Sequence, residues 1–203
     1  MRIEIDPSRP KPNQITRVVH ALKAGEVIIY PTDTCYGFGA DIFNKKAIEK
    51  VYQLKGKPKN RPFSFVCSDL KDISRYARVT DMAYRILKRY LPGPYTFILE
   101  GSREVPKMML TKRKTAGIRI PDHPVCMEIV KALGNPVIST TVKREGEPLS
   151  DPREMAEIFG KQVAVVVDSG IITPEPSSVI SLIDDEPEII RKGKGEVGDF
   201  EML

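Results

Sequence analysis

Short apolar runs typical of buried strands alternate with helical patterns along the chain, and this alternation restricts the fold more than any other feature of the sequence. Residues 27–30 and 163–168 are runs of the strand type, whereas 15–22 and 124–133 repeat apolar residues at helical spacing. Some strand-like runs follow one another without a helix between them, so the sheet is expected to be mixed. We predict an α/β fold: a single domain over residues 1–203, with a twisted mixed sheet flanked by helices.

Capping residues and helix breakers set the expected bounds of these elements. Asn44 and Thr80 are placed to cap helices, Asp151 opens another, and Gly25 ends the first. A chain of 203 residues with 41% hydrophobic composition can bury such elements around one sizeable core. The predicted strands are 2–5, 27–30, 63–67, 95–99, 115–120, 137–140, 163–168, 179–182 and 188–191, the last two as a hairpin.

Hydroxyl side chains gather at the ends of three apolar runs. Thr32 and Thr34 follow the run 27–30, the STT of residues 139–141 follows another, and the PSS of residues 176–178 precedes a third. Each group alone is explained by hydroxyls that satisfy backbone groups at strand ends. Together, and beside basic loops, they indicate a polar-lined pocket.

Three basic stretches lie next to predicted strand ends: KGKPKNR at residues 55–61, KRKTAGIR at 112–119 and RKGK at 191–194. One such stretch is usually a solvated surface. Three that converge at one edge of a sheet would form a positive pocket or groove suited to a polyphosphate or an RNA backbone. The overall excess of basic residues is mild, 32 basic against 27 acidic residues with a net charge of +5. The prediction of a positive pocket therefore rests on the clustering of the basic residues.

The segment GKGEVG at residues 193–198 matches the spacing of a dinucleotide-binding loop but lies in the wrong part of the chain. Such a loop opens a helix after the first strand of the fold. Here five residues follow Gly198, and we expect no helix to start there. The sequence contains no Walker A pattern, so nucleotide binding has to rest on other residues.

Metal and thiol chemistry have little support in the sequence. His20 and His123 have no acidic or cysteine partners at metal-ligand spacing, so no metal site is predicted. Cys35 is either a nucleophile or a small filler, and the absence of a histidine nearby in sequence favours the filler. Cys35, Cys67 and Cys126 are widely spaced, and no signal-like or membrane-length apolar run occurs, so we expect a cytoplasmic protein without a membrane partner.

Seven motifs occur in order: YPTDTCYGFGA, LKGKPKNRPFSF, LPGPYTFIL, AGIRIPDHP, PVISTT, EPSSVISL and IIRKGKG. Together they resemble the YrdC-like family of threonylcarbamoyl-AMP synthases, and the resemblance covers residues 13–195. It implies an open, twisted α/β sheet with a concave, positively charged cavity. Two motifs depart from the family pattern, since Lys-x-Arg reads Lys55-Gly56-Lys57 and Ser-x-Asn reads Ser139-Thr140-Thr141. Both departures point to the YciO-like branch.

The resemblance implies a nucleotidyltransferase that joins L-threonine, bicarbonate and ATP into threonylcarbamoyl-AMP and pyrophosphate. Mg²⁺ would arrive with the ATP. A partner tRNA threonylcarbamoyl transferase complex would then move the threonylcarbamoyl group to adenosine 37 of tRNA, giving N6-threonylcarbamoyladenosine.

The same resemblance implies that PTDTCYG forms a substrate-facing rim, where Gly37 and Gly39 let the backbone approach the substrate closely. The simpler alternative is that its hydroxyls only cap the strand end. The residues implied to bind threonine are Thr32, Thr34, Ser177 and Arg119, the last as partner of the carboxylate. The residues implied to bind the nucleotide are Lys55, Lys57, Arg61, Ser139, Thr141 and Arg191, with Lys55 and Lys57 in the catalytic role.

Two other functions remain open at this point. A non-catalytic protein could hold double-stranded RNA or tRNA on a concave basic surface through phosphate contacts. The same adenylate-forming chemistry could also act on a different amine or amino acid. Coupled stabilisation by L-threonine and ATP would separate a synthase from an RNA-binding protein, because each ligand stabilises only a fold that binds it.

Overall fold

Ten strands form one continuous mixed sheet within the described part of this computed structural model, residues 1–56 and 62–201. The order across the sheet is β1-β10-β2-β3-β7-β4-β6-β5-β11-β12, and β8 and β9 form a separate two-stranded hairpin. The strands are β1 (Arg2–Glu4), β2 (Ile28–Tyr30), β3 (Gly37–Gly39), β4 (Ser64–Val66), β5 (Tyr95–Glu100), β6 (Thr115–Arg119), β7 (Val137–Thr141), β8 (Lys143–Arg144), β9 (Glu147–Pro148), β10 (Val165–Asp168), β11 (Ser178–Ser181) and β12 (Glu188–Arg191).

Helices connect and cover the strands. They are α1 (Pro12–Lys23), α2 (Lys45–Lys55), α3 (Leu70–Tyr76), α4 (Asp81–Tyr90), α5 (Pro124–Leu133), α6 (Pro152–Phe159) and α7 (Gly198–Glu201), with 3₁₀ turns at Lys107–Met109 and Ile183–Asp185. Within the described residues, no helix has both the length and the apolar content needed to cross a lipid bilayer.

The pairing of the strands is mixed, which confirms the predicted fold class. Neighbours are parallel at β1–β10, β10–β2, β4–β6 and β5–β11. They are antiparallel at β2–β3, β3–β7, β7–β4, β6–β5 and β11–β12. The predicted hairpin of the last two strands is therefore also confirmed.

The two faces of the sheet are covered differently. Along β2, Ile28 and Tyr30 belong to a buried cluster with α1 and α5, whereas Ile29 belongs to a larger cluster that includes residues of α2, α3, α4 and α6. Successive side chains of a strand point to opposite faces, so these clusters lie on opposite sides of the sheet. The α1–α5 side is covered over β1, β10 and β2 but is open over β6, β5 and β11, and this open area becomes the floor of the candidate site.

Two of the predicted helix caps form the expected bonds. Asn44 Oδ1 accepts a hydrogen bond from Ala47 N at 3.0 Å, and Thr80 Oγ1 accepts one from Ala83 N at 3.2 Å. Each satisfies a backbone donor that the first turn of the helix leaves without a partner. The side chain of Asp151 does the same at the start of α6.

Several elements differ from the sequence predictions, among them the hairpin of β8 and β9, which was not predicted. Helix α3 was not predicted, because only Ile73 and Tyr76 are buried in its seven residues and so short a pattern is weak. The expectation that no helix starts at Gly198 is wrong, since α7 forms one turn there. Strand β3 was also missed, because the two glycines around Phe38 lack strand propensity and the segment pairs through its backbone with β2 and β7.

Of the two glycines of β3, Gly39 is required by packing, whereas Gly37 has ordinary van der Waals distances to its neighbours. A Cβ on Gly39 would lie 2.7 Å from Cε1 of Tyr30, and one on Gly37 would lie 3.5 Å from the Thr140 carbonyl oxygen. Tyr30 is fully buried, and its hydroxyl donates to the Ile138 carbonyl oxygen at 2.9 Å. The expectation that these glycines bring backbone close to a substrate is therefore corrected for Gly39, whose missing side chain makes room for the Tyr30 ring.

Candidate functional site

A cavity of about 460 Å³ lies on the open part of the sheet face that α1 and α5 cover elsewhere. Its floor consists mainly of alternate residues of the central strands, as expected for one face of a pleated sheet. The loop after β2, the end of α2 and the start of β8 complete its walls. The lining residues on the strands include Ser64, Thr96, Ile98, Thr115, Gly117, Arg119, Ser139, Thr141, Val179 and Arg191.

The charge of the described lining is entirely positive. Four cationic side chains contribute, from Lys55, Arg119, Lys143 and Arg191, and none of the described lining residues is a carboxylate. Nine of these residues carry hydroxyl groups, which can donate to or accept from a ligand. A concave site with this composition is suited to an anionic ligand that has several hydrogen-bonding groups.

Arg119 ends β6 and is buried, with 6% of its surface exposed. Its Nη2 donates to Asp33 Oδ1 at 2.9 Å and to Thr34 Oγ1 at 3.0 Å, and its Nη1 makes a longer contact of 3.4 Å to Ser139 Oγ. Its Nε is buried and has no hydrogen-bond partner among the described residues. A buried donor without a partner is costly, so the guanidinium is held here at some expense of stability.

Arg191 ends β12 and reaches the same cavity from the other side. Its Nε and Nη2 donate to the Ser177 carbonyl oxygen at 3.1 and 2.7 Å, and Nη2 also donates to Ser177 Oγ at 3.2 Å. Ser177 Oγ lies 2.8 Å from Thr96 Oγ1. Burial lowers the pKa of Arg191 from its ordinary value, and the positive charge of Arg119 lowers it further. The two guanidinium groups therefore act on the same space.

Lys55 is the last residue of α2, and Gly56 follows it in the left-handed conformation with φ of 57°. This turn ends the helix and leaves Lys55 at the cavity wall. The Lys55 Nζ donates to the Thr141 carbonyl oxygen at 2.6 Å. Helix α2 and strand β7 thus bring the predicted Lys55, Ser139 and Thr141 to one side of the cavity.

The loop after β2 places its threonines differently. Thr34 lines the cavity, whereas Thr32 is not among the lining residues. Thr32 Oγ1 donates to the Cys35 carbonyl oxygen at 2.6 Å and accepts from the backbone N–H groups of Thr34 and Cys35, both at 3.2 Å. The Thr32 hydroxyl thus holds the turn, which fits the alternative in which hydroxyls satisfy the strand end.

The basic stretches contribute less to the cavity than their sequence suggests. Lys57 and Arg61 lie outside the described residues. Lys112, Arg113 and Lys114 are exposed and do not line the cavity. In the last stretch Lys192 pairs with Glu201, and Lys194 Nζ donates to the Asp33 carbonyl oxygen at 2.5 Å. Among the described basic residues of these stretches, only Lys55, Arg119 and Arg191 line the cavity.

Several lining residues were missed from the sequence. They lie on the floor or at the mouth of the cavity and include Ser64, Thr96, Thr111, Thr115, Thr140 and Lys143. The signal that could have found the floor residues is the alternation within β5 and β6. In YTFIL, Tyr95, Phe97 and Leu99 enter the core while Thr96 and Ile98 line the cavity.

The remaining candidate residues from the sequence are the cysteines and the two histidines. Burial raises the pKa of the Cys35 thiol, which disfavours the thiolate that a nucleophile needs. All three cysteines are buried and reduced. His20 is exposed, and His123 Nδ1 is buried without a partner in the described structure. No group of three metal-binding side chains occurs within residues 1–56 and 62–201.

Comparison with known proteins adds independent information. Residues 20–193 match the model of the Sua5/YciO/YrdC family, which carries the description "Telomere recombination". The uncharacterized protein YciO of Escherichia coli (strain K12) is 38% identical over 199 residues, which is 97% of each chain. The threonylcarbamoyl-AMP synthase of Bacillus subtilis (strain 168) is 32% identical over 191 residues, which is 89% of this chain and 53% of that one.

Two solved structures have the same fold. The crystal structure of E. coli YciO superposes with a TM-score of 0.93 at 37% identity and 98% coverage of both chains. P. abyssi Sua5 complexed with L-threonine superposes with a TM-score of 0.91 at 23% identity, covering 100% of this chain and 60% of that one. The mixed sheet flanked by helices is therefore shared with both proteins.

Proposed function

The chain belongs to the Sua5/YciO/YrdC family, and from that premise we propose that its cavity joins L-threonine, bicarbonate and ATP into threonylcarbamoyl-AMP, with pyrophosphate as the second product. Relatives named threonylcarbamoyl-AMP synthase support transferase chemistry of this kind. The observation that carries the proposal is the pair of arginines that face one cavity without any carboxylate among its described lining residues.

The partners of the two arginines suggest different ligands for each. Arg119 is paired with Asp33, so its net charge is compensated, while its Nη1 makes only a long contact to Ser139. A single carboxylate, such as that of L-threonine, suits this group. Arg191 has neutral partners on Ser177, and its charge is uncompensated there. It suits the higher charge of a phosphate group.

The remaining residues divide between two subsites in this proposal. Thr34 offers a hydroxyl beside the guanidinium of Arg119, and the threonine subsite lies there. Ser177, which accepts from Arg191, completes this subsite at its border with the nucleotide subsite. Thr32 supports that subsite by holding the turn. The triphosphate lies toward Lys55, Arg191 and the missed Lys143, with Ser139 and Thr141 beside it. Lys57 and Arg61 remain proposed nucleotide ligands outside the described residues.

The chemistry requires no covalent enzyme intermediate. The amine nitrogen of threonine bonds to the carbon of bicarbonate, and water leaves, which gives an N-carboxy-threonine carbamate. A carbamate oxygen then attacks the α-phosphorus of ATP, and the bond to the bridging oxygen breaks to release pyrophosphate. The cationic side chains of the cavity align the carbamate with ATP. They also neutralise the negative charge on the five-coordinate phosphorus and on the pyrophosphate leaving group. Mg²⁺ enters as part of the ATP complex, with phosphate oxygens and water as its ligands.

The product is a reactive mixed anhydride and therefore needs an acceptor. We propose that a tRNA threonylcarbamoyl transferase complex in the cytoplasm takes it and modifies adenosine 37 of tRNA. RNA binding without catalysis is the main competing function, with the exposed Lys112–Lys114 stretch as its best support. The cavity disfavours it, because Arg119 is buried and a duplex backbone would have difficulty reaching it.

Product formation tests the proposal directly. Purified protein is incubated with ATP, Mg²⁺, bicarbonate and L-threonine, and threonylcarbamoyl-AMP is measured by mass, with reactions that lack threonine as the control. We expect product that depends on threonine and pyrophosphate in equal amount. If folded protein forms no product but is stabilised by tRNA, RNA binding replaces the proposed synthase function. If product forms with another amino acid in place of L-threonine, that amino acid is the amine substrate.

A Lys55→Ala variant is expected to lose most of its ATP-dependent thermal stabilisation and to keep the stabilisation by L-threonine. Hydrogen bonds to charged groups contribute about 1.5–3 kcal/mol, so ATP affinity should fall about 10–100-fold. Melting temperature measured against ATP concentration gives the change. Lys50→Ala is the matched control, because Lys50 lies on the same helix and forms a surface ion pair with Glu26 at 3.2 Å. Equal ATP responses of the two variants would remove Lys55 from the nucleotide subsite.

A further inference from the structure

We propose that Asp33 is the positioning residue of the threonine subsite: it holds the guanidinium of Arg119 in the orientation that receives the substrate carboxylate. The proposal rests on the synthase function argued above. Asp33 does not line the cavity, so it acts through Arg119 and not on the substrate.

The Asp33 carboxylate connects two segments that meet behind the cavity. Its Oδ1 accepts from Arg119 Nη2 at 2.9 Å, and its Oδ2 accepts from the backbone N–H of Asp122 at 3.0 Å. The side chains of Asp33 and Arg119 are each only 8% exposed. Both carboxylate oxygens are thus used, and the ion pair is shielded from water.

The backbone of Asp33 is fixed as well. Its carbonyl oxygen accepts from Lys194 Nζ, and the turn around it is closed by the hydroxyl of Thr32. The loop after β2, the segment after β6 and the segment after β12 therefore converge on this one residue. A carboxylate held at several points can fix the plane of a guanidinium, whose side chain otherwise has several rotatable bonds.

The fixed orientation leaves defined donors for the ligand. Asp33 and Thr34 occupy Nη2 of Arg119, Nη1 has one long contact to Ser139, and Nε has no partner among the described residues. A carboxylate approaching from the cavity would meet Nη1, whereas Nε lies below the cavity surface. Without Asp33, the guanidinium could turn and lose this geometry.

A purely electrostatic role of Asp33 and a positioning role predict opposite changes in L-threonine binding when Asp33 is replaced by a neutral residue, which makes the proposal testable. Asp33 carries a negative charge close to the proposed carboxylate site, so Asp33→Asn removes a repulsion. If Asp33 only weakened the charge of Arg119, this variant would bind L-threonine more tightly. If Asp33 positions Arg119, the variant binds L-threonine more weakly, because asparagine cannot accept from both donors with two oxygens.

The first measurement compares the KM for L-threonine and the KM for ATP in Asp33→Asn and in Asp122→Ala. The contact between Asp122 and Asp33 uses the Asp122 backbone, so removal of its exposed side chain is a matched control. We expect the KM for L-threonine to rise about 10–100-fold in Asp33→Asn, with the KM for ATP within about twofold. Asp122→Ala should match the parent. An unchanged or lower KM for L-threonine would overturn the proposal.

A second measurement needs no substrate and separates this proposal from the synthase function. In protein labelled with ¹⁵N-arginine, the Nε–H signal of Arg119 is identified by its loss in Arg119→Lys. We expect one sharp, slowly exchanging signal in the parent and in Asp122→Ala, and a broadened or rapidly exchanging signal in Asp33→Asn. If the Arg119 signal is broadened in Asp33→Asn but the parent does not turn over L-threonine, only the synthase function is rejected and the positioning role stands. An unaltered signal would reject the positioning role.

Discussion

An Arg119→Met variant is expected to lose L-threonine binding and threonylcarbamoyl-AMP formation and to unfold at a lower temperature than the parent. Methionine retains the apolar stem of the side chain but removes the donors to Asp33 and Thr34. Asp33 then keeps a buried charge without its ion-pair partner. Breaking a buried pair in this way costs about 3–5 kcal/mol, or about 6–20 °C in melting temperature for a protein of this size.

The two losses have different causes, and a second substitution separates them. Adding Asp33→Asn to Arg119→Met removes the remaining buried charge, so much of the lost stability should return. Threonine binding should not return, because the partner of the substrate carboxylate is still missing. Urea unfolding and calorimetric titration with L-threonine measure the two quantities. If the double variant binds L-threonine like the parent, Arg119 is a structural residue and the threonine subsite lies elsewhere.

The elements of the fold were largely predictable because their signals are local. The bounds predicted for α5 and β12 agree with the structure, and the caps at Asn44 and Thr80 form the expected bonds. Helical periodicity and capping residues act within a few positions of the chain, so a sequence pattern reports them well. Helix α3 and strand β3 were missed because one is too short for a clear period and the other is two glycines around Phe38.

The site was only partly predictable because it depends on contacts between distant segments. The pairing of Asp33 with Arg119 joins residues 86 positions apart, and no local pattern predicts it. The stretch after β2 is a turn, so the alternation of a strand does not tell which side chains face the cavity. In the structure Thr34 faces it and Thr32 faces the turn. Basic residues show the same limit, since Lys114 is exposed while Arg119, five residues later, is buried.

Gly193 of GKGEVG shows how a residue of an apparent motif can have a purely steric cause. Segment 193–195 packs directly against the residues that begin β11. Lys194 N donates to the Pro176 carbonyl oxygen at 2.9 Å, and Gly193 N donates to Ser178 Oγ at 3.0 Å. A Cβ on Gly193 would lie 2.2 Å from the Pro176 carbonyl oxygen and 2.7 Å from the Ser177 carbonyl carbon. These neighbours are backbone atoms, so no side-chain rotation can relieve the overlap.

Gly193→Ala is therefore expected to be strongly destabilising and to weaken ligand binding as well. Overpacking costs about 1–3 kcal/mol, and a backbone clash lies at the upper end. At about 3 kcal/mol the melting temperature should fall by about 6–12 °C. The clash also pushes the segment after β12 away from Ser177, which carries the contacts of Arg191, so ATP should bind more weakly. Thermal unfolding with and without ATP measures both effects.

Gly198→Ala is the matched control within the same motif. A Cβ on Gly198 meets no atom of the described structure within 4 Å, and the residue begins α7, where alanine is the better helix former. Its melting temperature should equal or slightly exceed that of the parent. A nucleotide-binding glycine loop would behave differently, because substitutions at either glycine would reduce ligand binding with little change in the stability of the free protein. Equal behaviour of the two variants would contradict the steric explanation, whereas a large difference in the stability of the free proteins would support it.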